Sequence, residues 1–370
     1  MHAGVLLGNK QSWGKRLRKL GVAAVLYGAC LACASTAFAE SVTPFIAVIL
    51  PGKSNSKAFK LAVDTIKAGL SAAEKVHGRA TSYPLRMFDV GDAEEETLTA
   101  FNQAQSQGAA AVIGPLTRNS TNYLADAAEL NIPVLALNAF DETTLRRNNL
   151  YSFGLPIESE VQQVVQMMRI QKVAAPVVLQ ADGPLSQRMR RAFVDAWRAE
   201  TGTEPPVMEV YDARAQAGDL QAQLKGADAV FFATDGRHAS QIRPYLPTSC
   251  QLYGTSQLVT GRAVSVDLYG VHYVDMPWLA NPDSPEYAAY ARQRVVSNDE
   301  ERLFAVGVDA WWLAQLLAKH EQFAAVDGLT GWLELGSDGV IDRSLTEVTA
   351  MPRGALPAIP ADASQPAVVQ

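Results

Sequence analysis

Short, wholly apolar runs alternate with amphipathic stretches along most of this chain, and that alternation limits the fold more than any other feature. Phe45-Ile46-Ala47-Val48-Ile49-Leu50 is an unbroken apolar run closed by Pro51-Gly52, the pattern of a strand covered on both faces. Phe59, Ala62, Val63, Ile66, Leu70 and Ala73 then recur at helical spacing. Leu85–Val90 predicts a second strand, and Asp92 with Glu95 a capping box opening a helix that ends at Gly108. Ala110–Ile113 follows as a strand broken by Gly114-Pro115, then a helix over Asn119–Glu129 and a strand over Ile132–Leu137.

After Tyr151 the pattern starts again. Helices are expected over Ile157–Ile170, Leu185–Glu200, Asp219–Lys225 and His238–Leu246, and strands over Pro176–Gln180, Val207–Tyr211, Ala229–Ala233, Leu252–Gly254 and Val271–Val274. Strands alternating with helices at this spacing imply a parallel sheet covered on both faces. The unit occurs twice, so the fold class is α/β, with two doubly wound Rossmann-like lobes. Helical stretches over Pro285–Val296 and Arg302–His320 follow, and Gly331–Leu335 with Val340–Leu345 reads as a hairpin through Ser337-Asp338-Gly339. Residues 351–370, rich in Pro, Ala and Ser, read as a disordered tail.

Composition agrees. At 370 residues, 48% hydrophobic and 19% charged, the chain is too apolar for disorder and too charged for a polytopic membrane protein. Lys and Arg number 32 against 38 Asp and Glu, a balance that argues against nucleic acid as a partner.

The first 39 residues stand apart. Lys10, Lys15, Arg16, Arg18 and Lys19 precede an apolar run from Leu20 through Ala34, which ends in Ala37-Phe38-Ala39 before Glu40. A basic start, an apolar middle and an A-x-A site make a secretory signal peptide. The run is short for a membrane anchor and is interrupted by Gly21 and Gly28. Cys30 and Cys33 lie inside it, with Tyr27 and Cys30 where a lipidation signal would carry a Leu-like residue. The expectation is a soluble periplasmic protein, cleaved near Ala39-Glu40, without stable membrane insertion. Only Cys250 then remains, which leaves no intramolecular disulfide.

No strand end carries a complete catalytic pattern. Gly52-Lys53-Ser54 resembles the close of a phosphate loop, but position 47 is Ala where that loop needs its first Gly. No G-x-G-x-x-G follows a strand, so no dinucleotide cofactor is expected. The histidines (His2, His77, His238, His272, His320) show no metal-ligand spacing, and neither HExxH nor G-x-S-x-G occurs. Asp235-Gly236-Arg237-His238 reads as a polar turn, Glu94-Glu95-Glu96 as a solvated first helical turn, and Trp311-Trp312 as core. The sequence implies no catalysis, no metal and no cofactor. In open parallel sheets ligands sit beyond the carboxyl ends of the strands. That rule selects Lys53, Ser54, Thr117, Asn119, Asn138, Asp182, Asp235, Ser256 and Gln257 as candidate contacts for a small polar ligand between the lobes.

Several blocks then carry a resemblance: Gly114-Pro115-Leu116, Ile132–Asn138, Tyr151–Leu155, Ser186–Met189, Ala227–Phe231 and Tyr253–Gln257. Asp275-Met276-Pro277-Trp278, Arg302–Ala310 with its Gly307-Val308-Asp309-Ala310, and Gly328-Leu329-Thr330-Gly331 complete them. Through these the chain resembles type I periplasmic binding proteins, and more closely the LppC family of penicillin-binding protein activators. The resemblance implies a non-catalytic regulator of peptidoglycan synthesis whose partner is a peptidoglycan synthase or another envelope protein. The family's best-known members carry a helical-repeat domain ahead of this one, whereas here the first strand starts at Phe45. The alternative is the solute-binding protein of an ABC transporter for amino acids or similar small polar metabolites.

The resemblance also implies a lobe 1 of residues 42–154 with 277–326 and a lobe 2 of 155–276 with 327–350. The chain would then cross between lobes at Gly154 and Leu155, at Met276 and Pro277, and at Asp327 and Gly328. By analogy Thr117, Asn119 and Asn138 would hold a ligand carboxylate and Asp235 its ammonium. Leu116 replaces the small hydroxyl residue common in amino-acid binders, so weak or absent amino-acid binding is expected.

Overall fold

The computed structural model describes residues 43–139, 147–261, 264–290, 297–321 and 325–352. The expected leader, its cleavage site and the expected tail beyond Pro352 lie outside the described residues.

The apolar runs form the centres of two sheets. In the first, β1 (Phe45–Leu50), β2 (Leu85–Asp89), β3 (Ala109–Ile113), β4 (Val134–Ala136) and β5 (Leu150–Ser152) lie in the order β2-β1-β3-β4-β5. Every pairing is parallel. β1 is buried along its whole length, because α1 (Lys57–His77) and α9 (Asn298–Ala318) cover one face while α2 (Glu94–Ser106) and α3 (Arg118–Ala127) cover the other. This is the doubly wound arrangement expected from the alternation.

The second sheet holds β6 (Pro176–Gln180), β7 (Val207–Glu209), β8 (Ala229–Ala233), β9 (Gln251–Tyr253), β10 (His272–Asp275) and β14 (Thr346–Thr349), in the order β14-β10-β9-β8-β6-β7. Only β14 runs antiparallel. On one face α4 (Ile157–Ile170) and α5 (Pro184–Thr201) pack through Val164, Met168, Phe193 and Trp197. The other face packs against α6 (Ala217–Gln223) and α7 (Gly236–Ile242). A short α8 (Pro277–Ala280) follows β10. The remaining strands, β11 (Ala325–Asp327), β12 (Trp332–Leu335) and β13 (Ile341–Ser344), form a small antiparallel sheet. Among the described residues no helix is long and apolar enough to cross a membrane.

Two glycines set the closest helix contact. A Cβ on Gly69 of α1 would lie 2.1 Å from the Phe304 carbonyl, and one on Gly307 of α9 would lie 2.2 Å from that of Ile66. Only residues without a side chain let these backbones approach so far. Gly307 of the Gly-Val-Asp-Ala block therefore serves helix packing.

The structure departs from the sequence pattern in four places. Asp92 does not cap α2: the cap position is Ala93 without a side-chain bond, and Asp92 Oδ2 accepts the Asn55 N–H at 3.1 Å. Between Pro285 and Val296 the described residues form one 3-10 turn, Pro285–Tyr287, and not a full helix. Leu150–Ser152 is a strand that the pattern passed over, being only three residues long. Finally, the stretch 327–350 divides its packing. Leu329, Leu333 and Ile341 join the core under the first sheet, while β14 extends the second.

Candidate functional site

The loops at the strand ends use most of their polar groups locally. Thr117 caps α3, its Oγ1 accepting the Ser120 N–H at 3.1 Å. Asn138 donates to the Leu116 carbonyl at 2.9 Å and accepts from its neighbour Ala139 N at 2.8 Å. Asp235 caps α7 by accepting His238 N at 2.9 Å, and its Oδ1 also lies 2.9 Å from His238 Nδ1. These contacts hold its carboxyl below the usual range even though burial works the other way. Asp182 accepts the Gly183 N–H at 2.7 Å, and buried Ser54 accepts from Ser56 N at 3.1 Å. Lys53 and Asn119 are exposed.

Three cavities collect the sequence candidates unevenly. Thr117 and Asn119 line one of about 210 Å³ beside Asp92 and Leu116. Asp327 and Gly328 line another of about 350 Å³, with His77, Tyr290 and Trp312. Ser256 and Gln257, with the crossing residues Leu155 and Met276, line a third of about 290 Å³ between the two sheets. Lys53, Ser54, Asn138, Asp182 and Asp235 line none of the three.

The third cavity holds the concentration of charge. Arg302, near the start of α9, is buried and grips Asp275 at the end of β10, Nε to Oδ1 at 3.0 Å and Nη2 to Oδ2 at 2.7 Å. Its Nη1 bonds Asp299 at 2.7 Å, and its Nη2 also reaches the carbonyls of Ser256 (3.3 Å) and Val259 (3.2 Å). Burial alone would weaken its charge, but the Asp275 carboxylate outweighs that and holds its pKa above the ordinary value. Glu160 on α4 accepts both the backbone N–H and the hydroxyl of Ser256, each at 3.0 Å. Desolvation in the cavity wall still pushes its carboxyl up to about 7.

The first two crossings between the sheets are each held by a buried arginine. Arg343 of β13 donates from Nη1 to the Gly154 carbonyl at 2.8 Å and lies 4.7 Å from the Phe153 ring centre. Arg302 holds Asp275 at the second. Asp309, two turns beyond Arg302 on α9, accepts Leu329 N (2.9 Å), Thr330 N (2.8 Å) and Thr330 Oγ1 (2.6 Å) within the core under the first sheet, so the chain has not yet passed to the second sheet at Asp327 and Gly328. Trp278 N donates to the Leu329 carbonyl at 3.1 Å, tying the second crossing to that same core. A Cβ on Gly328 would lie 2.6 Å from Asp309 Oδ2. The Asp-Met-Pro-Trp, Arg302–Ala310 and Gly-Leu-Thr-Gly blocks thus meet in one buried network.

Asp275, Arg302 and Asp309 fall within the blocks that carry the family resemblance, which give them no role, and Glu160 and Arg343 are not among the strand-end candidates. One signal was available: Arg302 and Asp309 are charges seven apart inside a strongly apolar helix, hence on one face. Nothing local in the sequence marks Glu160 or Arg343.

The two doubly wound sheets, joined by three crossings with a cavity between them, define a type I periplasmic-binding-protein fold. A Chromobacterium violaceum ATCC 12472 structure described as a putative branched-chain amino acid ABC transporter matches with TM-score 0.73 and 35% identity, over 83% of this chain and 99% of that one. The C-domain of Haemophilus influenzae LpoA (YraM), described as a regulator of PBP1A, matches with TM-score 0.68 at 22% identity, over 82% and 96%. Residues 22–349 match the family described as LppC putative lipoprotein, and the chain belongs to the LppC family. The penicillin-binding protein activator LpoA of Pectobacterium parmentieri (strain WPP163) is 27% identical over 325 residues, which is 73% of this chain and 47% of that protein. The chain spans about half the length of the curated relatives it matches.

Proposed function

We propose that this chain is a non-catalytic module on the periplasmic side of the envelope that regulates peptidoglycan synthesis by contact with a synthase. The family carries the reading, since its curated relatives are named penicillin-binding protein activators. The site is consistent with it. A solute-binding protein moves its lobes about the crossings to enclose a ligand, whereas here two of the crossings are gripped by buried arginines. The strand-end candidates Thr117, Asn138, Asp182 and Asp235 also have local partners.

A second reading, a solute-binding protein for amino acids or similar metabolites, is favoured by one observation. The 35% identical Chromobacterium structure is covered almost end to end. In that reading Ser256 and Gln257 contact the ligand in the cavity between the sheets.

A paired measurement separates the two. A metabolite at 100 times its dissociation constant stabilises a protein by about 2.7 kcal/mol, so an amino-acid screen by thermal shift would expose a solute binder. The regulator reading expects no such shift, together with capture of a purified bifunctional peptidoglycan synthase. A shift without capture would favour transport.

A further inference from the structure

We propose that the cavity between the two sheets binds a small apolar monocarboxylate, gripped side-on by the Nε and Nη2 groups of Arg343. This inference stands apart from any contact with a synthase.

Three arginines line this cavity, and they are not equivalent. Arg302 presents its Nε and Nη2 edge to Asp275, and Arg188 presents the same edge to Glu158, with both distances 2.9 Å. Arg343 is also buried, at 9% exposure, but only its Nη1 is bonded, to the Gly154 carbonyl. Among the described residues its Nε and Nη2 have no hydrogen-bond partner. That edge is the planar two-donor fork that matches a carboxylate, and the other two arginines of the wall use it that way, Arg302 on Asp275 within the wall and Arg188 on Glu158 outside it. Buried donors are nearly always satisfied, so an unpartnered pair calls for an explanation.

Charge agrees with geometry. Burial pulls the Arg343 guanidinium down to about 10, with Asp309 and Glu160 as opposing charges that form no hydrogen bond to it. A bound carboxylate would supply the missing counter-charge at contact distance. The rest of the wall fixes the ligand's other end. Leu155, Ile157, Leu185, Leu303 and Leu345 offer apolar surface, so an uncharged, branched body fits there. A second carboxylate on the ligand would meet Glu160 and Asp275 in the same wall, which restricts the class to monocarboxylates.

The test uses isovalerate and its uncharged amide, isovaleramide, as probes in titration calorimetry and ligand-observed NMR with the exported protein. Two variants accompany them: Arg343→Met removes the fork, and Leu185→Trp narrows the cavity from a partly exposed position. Isovalerate is expected to bind saturably, the amide about tenfold more weakly or worse, and both variants to lose isovalerate. Should Arg343→Met fail to fold, the amide and Leu185→Trp still decide. Equal binding of acid and amide, or binding that survives Leu185→Trp, would overturn the proposal. So would no saturable isovalerate signal up to about 10 mM, where affinity falls below roughly 3 kcal/mol; water would then be the partner of the Arg343 donors.

Discussion

Arg302 and Asp275 form a buried two-pronged ion pair, at 3.0 and 2.7 Å, that ties the start of α9 to the end of β10 where the chain leaves the second sheet. Seven residues on, Asp309 holds Leu329 and Thr330 from the same helix. α9 itself packs on α1 beneath the first sheet. One helix of the first sheet's core therefore anchors both the second crossing and the loop that precedes β12.

Breaking the pair from one side should be severe. Arg302→Met leaves the Asp275 carboxylate buried without its partner, and a loss of about 3–5 kcal/mol is expected. The double variant Arg302→Met/Asp275→Leu should lose less than either single change, because no charge is stranded. Urea denaturation of the three variants measures this.

Stability should also carry a pH signature from Glu160. Its folded carboxyl is raised from 4.5 to about 7, so between these values the folded state binds more protons than the unfolded one. The contribution is then favourable at low pH and is lost as pH rises through about 7. Glu160→Gln should flatten that part of the curve, measured as the urea midpoint against pH.

Gly307→Ala should be costly although it adds a single methyl group. The new Cβ would fall 2.2 Å from the Ile66 carbonyl, which forces α1 and α9 apart. A loss on the order of 3 kcal/mol is expected by thermal or chemical unfolding. A neutral result would show that the helices can separate freely.

Asp235→Ala gives the opposite contrast. Its side chain caps α7 and lines none of the three cavities. Losing the cap should cost about 1 kcal/mol and leave synthase capture unchanged.

The alternation of apolar runs and helical periods made both sheets legible, because a strand buried on two faces must be apolar almost throughout, as β1 and β8 are wholly and β6 is up to its last residue, Gln180. Short strands were harder. β5 and β14 hold three and four residues and are placed by their neighbours in the sheet, not by their own pattern. The strand-end rule reached Ser256 and Gln257 in the cavity between the sheets, but it also selected Asp182 and Asp235, whose carboxylates have local partners. Asp and Asn serve equally well as caps, so residue type alone does not separate a cap from a ligand contact. Arg343 and Gly154 are 189 positions apart, a pairing that only the assembled crossings bring about.

The most direct test of the regulatory account is the rate of peptide crosslinking by the cognate bifunctional peptidoglycan synthase, measured with and without this protein. Stimulation that saturates with added protein, and that persists in Asp235→Ala, is the predicted result. An unchanged rate, together with micromolar binding of a free amino acid that disappears in Gln257→Ala, would contradict the account and point to solute transport.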